Sequence, residues 1–166
     1  MQEPIEFRLT VVQLDSLQTA SSGSIEAAGF GADRIRLAVS SSGSLRTGAL
    51  QCDSLDIEVS SSGDLSVDSL QAGSVEADLS SSGSVRIGGG TVQRQDLTLT
   101  SSGEYSAPDL ASLEATLELR SSGRATIRVS ELLTANLSSN GDVYYIGEPR
   151  LEVESSSSGG VYPAGN

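Results

Sequence analysis

Residues 41–63 decide the fold: Ser41-Ser42-Gly43-Ser44-Leu45-Arg46-Thr47-Gly48-Ala49-Leu50-Gln51-Cys52-Asp53-Ser54-Leu55-Asp56-Ile57-Glu58-Val59-Ser60-Ser61-Ser62-Gly63. Between the two Ser-Ser-Gly triplets lie three short runs with every second residue of one kind: Leu45 and Thr47, Leu50 and Cys52, then Leu55, Ile57 and Val59. A period of two over so few residues is the mark of a strand with one face buried. Outward from this stretch the triplet recurs, with its glycine at 23, 43, 63, 83, 103 and 123, five intervals of 20. Two intervals of 18 follow, to Gly141 in Ser139-Asn140-Gly141 and Gly159 in Ser157-Ser158-Gly159. A fixed period of this size is the signature of a stacked repeat architecture.

Alignment on the glycines sets the same residue types in the same columns. Two positions after the glycine stand Ile25, Leu45, Leu65, Val85, Tyr105, Ala125, Val143 and Val161. The third run repeats as Ile35, Leu37, Val39, then Val75, Ala77, Leu79. Three strands per repeat joined by very short turns do not fit a hairpin sheet. A coil that returns one strand spacing above itself does. The expected fold is therefore all-β, a right-handed parallel β-helix of about eight coils of 18–20 residues with three short strands per coil. Right-handed winding follows the rule for parallel crossovers, and stacking at about 4.8 Å per coil predicts a rod of about 38 Å. The chain reads as one domain over 1–166, with regular coils from about residue 21, an irregular first coil over 1–20 and a tail over 160–166. Continuing the inward parity of the third run through Val39, Ser41, Gly43 and Leu45 predicts that Ser41 and Gly43 both face into the bend, where glycine would also permit a positive φ. The stacked serines Ser41, Ser61, Ser81, Ser101 and Ser121 could then hydrogen-bond along the rod.

Composition narrows the function. The chain has 22 acidic and 10 basic residues, a net charge of −12, 4% aromatic residues and no Trp. An acidic surface repels phosphate backbones and anionic membranes, so nucleic acid and membrane insertion are not expected. No apolar run reaches the roughly 18 residues that span a bilayer. Cys52 is the single cysteine, which excludes an internal disulfide and a multi-cysteine metal site. Without His there is no Ser-His-Asp triad, His-based zinc site or His general base. Without Lys there is no phosphate loop ending in Gly-Lys. Gly88-Gly89-Gly90 falls at a corner between two strands and reads as a turn.

The remaining reactive groups are carboxylates. On the outward side of the third strand the repeat stacks Asp56, Glu76 and Asp96 in one line, with Glu58 and Asp78 beside them. Like charges side by side across a ladder repel, so this patch is either a solvated face, a weak calcium site or, least of all, a catalytic one. Calcium prefers several wrapping oxygen ligands, which a flat strand face supplies poorly. No catalytic residue and no cofactor is assigned. Arg36 precedes Asp56 by one coil and can pair with it, an exposed pair worth ~0–1 kcal/mol. Tyr144 and Tyr162 share an outward line near the C-terminus. They are either a platform for a glycan or a cap on the end of the rod.

The segment Ile127 to Pro149 carries a more specific pattern. Its Gly141-Asp142-Val143-Tyr144-Tyr145 followed by Gly147-Glu148-Pro149 closely resembles the end of the putative auto-transporter adhesin, head GIN domain family, in which Gly-Asp-hydrophobic-Tyr-Tyr and Gly-Asn-Pro close a series of Ser-Gly-rich coils. Here Glu148 replaces the Asn, and Ser-Ser-Gly largely replaces the family's Ser-Gly-Ser-Gly corner. The resemblance runs from about Ile5 to Val161. It implies a right-handed β-helix, export in bacteria with the signal peptide outside this chain, and an adhesin role, with no catalytic residues to carry over. It also implies an upstream segment that would cover the first coil, whose edge is otherwise open.

The expected function is a non-enzymatic bacterial surface or envelope adhesin-like module, a stiff rod presenting a surface to a glycan or to an envelope or host protein. A carbohydrate-active enzyme using the acidic patch is the alternative, and it would need a groove that short regular corners do not build. An ice-binding solenoid comes third, because its flat Thr ladders are absent here.

Overall fold

The computed structural model describes residues 6–156 and 158–165; Ser157 of the last Ser-Ser-Gly corner and the expected first coil before residue 6 lie outside them. Among the described residues there are fourteen strands and no helix. The strands are β1 (Ser16–Ala20), β2 (Ser24–Ala27), β3 (Phe30–Gly31), β4 (Arg34–Ser40), β5 (Ser44–Ser60), β6 (Asp64–Leu79), β7 (Ser84–Ile87), β8 (Gly90–Thr91), β9 (Arg94–Leu99), β10 (Glu104–Leu119), β11 (Arg124–Leu137), β12 (Asp142–Ile146), β13 (Arg150–Ser155) and β14 (Val161–Pro163). Every pairing is parallel, and the common register offset is the 20-residue coil, as in Leu45↔Leu65 and Leu55↔Val75. The chain is a β-solenoid. Several strands, such as β5, run through a whole coil and bend at its corners.

The third-strand column stacks β1, β4, β5, β6, β9, β10, β11 and β13, eight layers joined by seven turns. The expected eight coils are thus seven full turns, and the first and last layers lie about 34 Å apart at ~4.8 Å per step. Residues 161–163, expected in a tail, form β14 and pair with β12. Residues 6–15 carry no strand, whereas 16–20 join the regular ladder as β1.

Inward columns close the core as the alternation predicts. Ile35, Leu55 and Val75 stack in one column and Leu37, Ile57 and Ala77 in the next, all at most 1% exposed. Each fully buried Leu, Ile or Val contributes about 1.5–3 kcal/mol. Narrow layers need no large aromatic residue, which is why the composition contains so few.

The Ser-Ser-Gly corner differs from its expected geometry. Gly43, Gly63, Gly83, Gly103 and Gly123 are buried, but Ser41 is exposed and Ser61, Ser81, Ser101 and Ser121 are half-buried, so only the glycine turns inward. Nor does the corner glycine use a positive φ. Among the described residues positive φ belongs instead to Ser21, Ser41, Gly90, Gly147 and Gly165. What requires glycine is close approach: a Cβ at Gly103 would stand 2.9 Å from the Ser81 carbonyl oxygen, and one at Gly123 would stand 2.8 Å from that of Ser101. Removing the side chain lets each corner sit on the one before it. Backbone bonds then carry the ladder around the bend, as in Asp64 N–H to Gly43 O at 3.1 Å and Arg124 N–H to Gly103 O at 3.0 Å. The Ser101 hydroxyl donates to the Ser80 carbonyl at 2.9 Å rather than to another serine of its column.

Coil shortening falls between β10 and β11, where the register slips at Ala107/Ala111 and again at Ser112/Glu114. Side chains stitch the tightened corner. Arg128 Nε donates to Pro108 O at 2.8 Å and Ser130 Oγ to Ser112 O at 3.1 Å.

Two substitutions test the inward columns. Leu55→Asp buries a carboxylate without a partner, at a cost of about 3 kcal/mol or more, and should lower the melting temperature by about 6 °C or more in a circular-dichroism melt. A mutant melting with the parent would remove Leu55 from the core. Thr47 is fully buried and its Oγ1 finds no hydrogen-bond partner. Thr47→Val should therefore stabilise by about 1 kcal/mol, raising the melting temperature by about 2–4 °C.

Candidate binding surface

The outward columns of the third strand hold the acidic patch in the predicted register. Asp56 pairs with Glu76, Glu76 with Asp96, and Glu58 with Asp78. Arg36 covers one end, with its guanidinium 2.7 Å from Glu58 and 3.9 Å from Asp56. Both partners are well exposed, so water screens these pairs and they contribute little to stability. Glu76, Asp78 and Asp96 continue the acidic line along an open strand face. Among the described residues no three His, Cys, Asp or Glu side chains gather closely enough to hold a metal ion. The shallow grooves on this side, one lined by Ser16, Gln18, Arg36 and Glu58 and another by Glu118, Asn136 and Glu154, are polar and open.

The tyrosines lie on a different face. Tyr144 of β12 and Tyr162 of β14 are direct register partners, with ring centroids 5.6 Å apart and planes tilted by 32°. The Arg124 guanidinium sits 5.6 Å from the centre of the Tyr144 ring, within cation–π range. Both residues alternate outward from their inward neighbours, Val143 and Val161. Tyr162 is 44% exposed and Tyr144 is half-buried beneath its neighbours. Arg124, Tyr144 and Tyr162 thus form a continuous aromatic and cationic strip two coils long. The register itself is legible in sequence. The approach of Arg124 is not, because it is a diagonal contact set by side-chain direction.

A buried polar cluster escaped the sequence reading. Gln95 occupies the inward column of Ile35, Leu55 and Val75 and is fully buried. Its Nε2 donates to Ser112 Oγ at 3.0 Å, its Oε1 accepts from the Tyr105 hydroxyl at 2.9 Å, and Ser112 Oγ donates to Arg128 O at 2.7 Å. The available signal was a polar residue at an inward position two coils before the spacing shortens. The cluster is sealed from solvent and satisfies its own bonds, so it organises the core and presents nothing to a ligand. Cys52, half-buried against the core, has its thiol pushed up to about 11 by burial and then by Asp53, and it stays protonated at neutral pH.

A regular solenoid with filled inward columns and short corners defines the class, a β-solenoid repeat module. The chain belongs to the family described as putative auto-transporter adhesin, head GIN domain, which matches residues 1–149. Solved structures share the fold. One is a protein from Parabacteroides merdae ATCC 43184 described as a putative adhesin, with TM-score 0.87, 22% identity and coverage of 91% of this chain and 64% of that one. Another, from Parabacteroides distasonis ATCC 8503 and also described as a putative adhesin, has TM-score 0.80, 22% identity and coverage of 91% and 64%. A third, from the same distasonis strain and described as a putative lipid binding protein, has TM-score 0.86, 25% identity and coverage of 91% and 62%. The chain thus spans less than two thirds of the length of these structures. No functionally curated protein matches it in sequence.

Burial raises the Tyr105 phenol above its ordinary value near 10. Above about pH 10 the unfolded chain releases this proton while the native chain retains it, so the stabilisation present below pH 10 is lost as pH rises. Tyr105→Phe should flatten the fall in denaturation midpoint between about pH 9.5 and 11, whatever constant offset it adds. An unchanged slope in urea titrations would show that Tyr105 does not control alkaline stability.

Proposed function

We propose that this chain is a non-enzymatic, exported adhesin-type module of the bacterial surface, a stiff rod that binds glycan on the face formed by Arg124, Tyr144 and Tyr162. The observation that carries this reading is the Tyr144–Tyr162 stack, an exposed aromatic strip on an otherwise Ser-rich and acidic rod. The exposed part of the Tyr162 ring offers an apolar surface to a sugar, Tyr144 backs it, and the Arg124 guanidinium supplies donors for hydroxyl or carboxylate groups. Family membership supports the adhesin role and export. The acidic ladder serves as a solvated face with at most weak affinity for calcium, and its openness gives an acid and base no cleft in which to hold a glycosidic bond. The lipid-binding description of one structural relative belongs to that protein. Here Leu, Ile, Val and Ala fill the inward columns and leave an acyl chain no place beside them.

A glycan array probed with the purified chain, with calcium and then with chelator, tests the reading. Saturable binding is expected, and Tyr162→Ala should weaken it about tenfold, equivalent to about 1.4 kcal/mol, with an unchanged melting temperature. Binding indifferent to Tyr162→Ala would remove the aromatic platform. Loss in chelator would move the site to Asp56, Glu76 and Asp96. Absence of glycan binding in both conditions would replace the glycan with a protein partner.

A further inference from the structure

One corner of the rod differs from the others in its chemistry. The residue before the corner glycine is serine at 22, 42, 62, 82, 102 and 122, whereas the next corner, Ser139-Asn140-Gly141, places an asparagine there. Asn140 is exposed, and residues 138–140 form a bend rather than a strand. Among the described residues neither the Asn140 side-chain amide nor the Gly141 N–H makes a hydrogen bond. An electrophilic carboxamide carbon and the main-chain nitrogen that follows it are thus both unengaged, and Gly141 has no side chain to keep them apart. Asn136 supplies the contrast. It is exposed too, but it lies inside β11, paired with Glu154, and the branched Leu137 follows it.

Asparagine is among the thermally labile residues, and an intramolecular nucleophile held close accelerates its attack. At Asn140 the Gly141 nitrogen gives its proton to hydroxide and bonds to Asn140 Cγ. The side-chain nitrogen takes a proton from water and leaves as ammonia, which closes a succinimide ring. Water then opens the ring at one of two carbonyls. Attack at Cγ breaks the new bond and leaves aspartate. Attack at the original main-chain carbonyl breaks the old peptide bond and leaves the chain running through Cγ, an isoaspartate whose main chain is one carbon longer.

The corner has no room for that carbon. A Cβ at Gly141 would already stand 2.7 Å from the Ser121 carbonyl oxygen and 3.0 Å from that of Gly123. The next residue holds the ladder, with Asp142 N–H donating to Gly123 O at 3.1 Å, and it opens the register of β12 on β11. We infer that Asn140–Gly141 is a covalent modification site, converting through the succinimide to isoaspartate and aspartate, and that the isoaspartyl form releases β12 from its ladder. The site stands independently of the glycan-binding reading.

Peptide mapping of the whole folded chain, kept warm at mildly alkaline pH beside a urea-unfolded sample, tests the inference. Asn140 and Asn136 fall in the same tryptic peptide, 129–150, so each serves as a reference for the other. Conversion is expected at Asn140 in the folded chain, with Asn136 intact. Asn140→Ser, which restores the residue of the other corners, should abolish it. The isolated isoaspartyl form should exchange the amide hydrogens of β12 about tenfold faster than the parent, while Asn140→Asp, with the charge but not the extra carbon, should exchange as the parent does. A folded chain still intact at Asn140 when the unfolded one has converted, conversion of Asn136 at the same rate, or an isoaspartyl form that exchanges like the parent would each overturn the inference.

Discussion

The close stacking of one corner on the next governs this molecule. In a parallel solenoid every backbone bond of a coil is made to the coils before and after it, so the ladder survives only if the bends approach as closely as the strands do. At Gly103 and Gly123 that approach leaves no room for a Cβ beneath the preceding carbonyls. The Ser-Ser-Gly spacing therefore sets the coil length, the coil length sets the register, and the register decides which side chains become neighbours. Serine at the two preceding positions tolerates partial exposure, and at Ser101 its hydroxyl supplements the ladder.

Strict register makes each column a run of similar environments, with opposite consequences on the two sides. Inward, a column of Leu, Ile and Val accumulates burial without large side chains. Outward, the same strictness brings Asp56, Glu76 and Asp96 into one line and sets Tyr162 on Tyr144. The acidic line is mutually repulsive, whereas the aromatic strip is attractive and draws in Arg124. A rod of this kind concentrates chemistry in stripes.

Within the rod a hydrogen-bonded interruption of the apolar columns, Gln95 with Tyr105 and Ser112, lies beside the coil that shortens. Its hydrogen bonds are specific to that register, and a slipped pairing would leave three buried polar groups unsatisfied. We read the cluster as fixing the place where the coil length changes.

The sequence by itself determined the parallel stack, the columns, the acidic ladder and the pairing of Tyr144 with Tyr162, because a period of 20 leaves one consistent register and alternation then assigns inside and outside. It overreached at Ser41, where parity carried through a bend predicts burial. Alternation describes an extended strand, and the corner, with Ser41 at φ 71°, is not one. Close approach rather than backbone freedom as the reason for the glycines, the diagonal contact of Arg124 and the bonds of Gln95 were decided only by the tertiary structure. Each depends on the distance or direction between atoms on different coils, which no pattern along a single chain specifies.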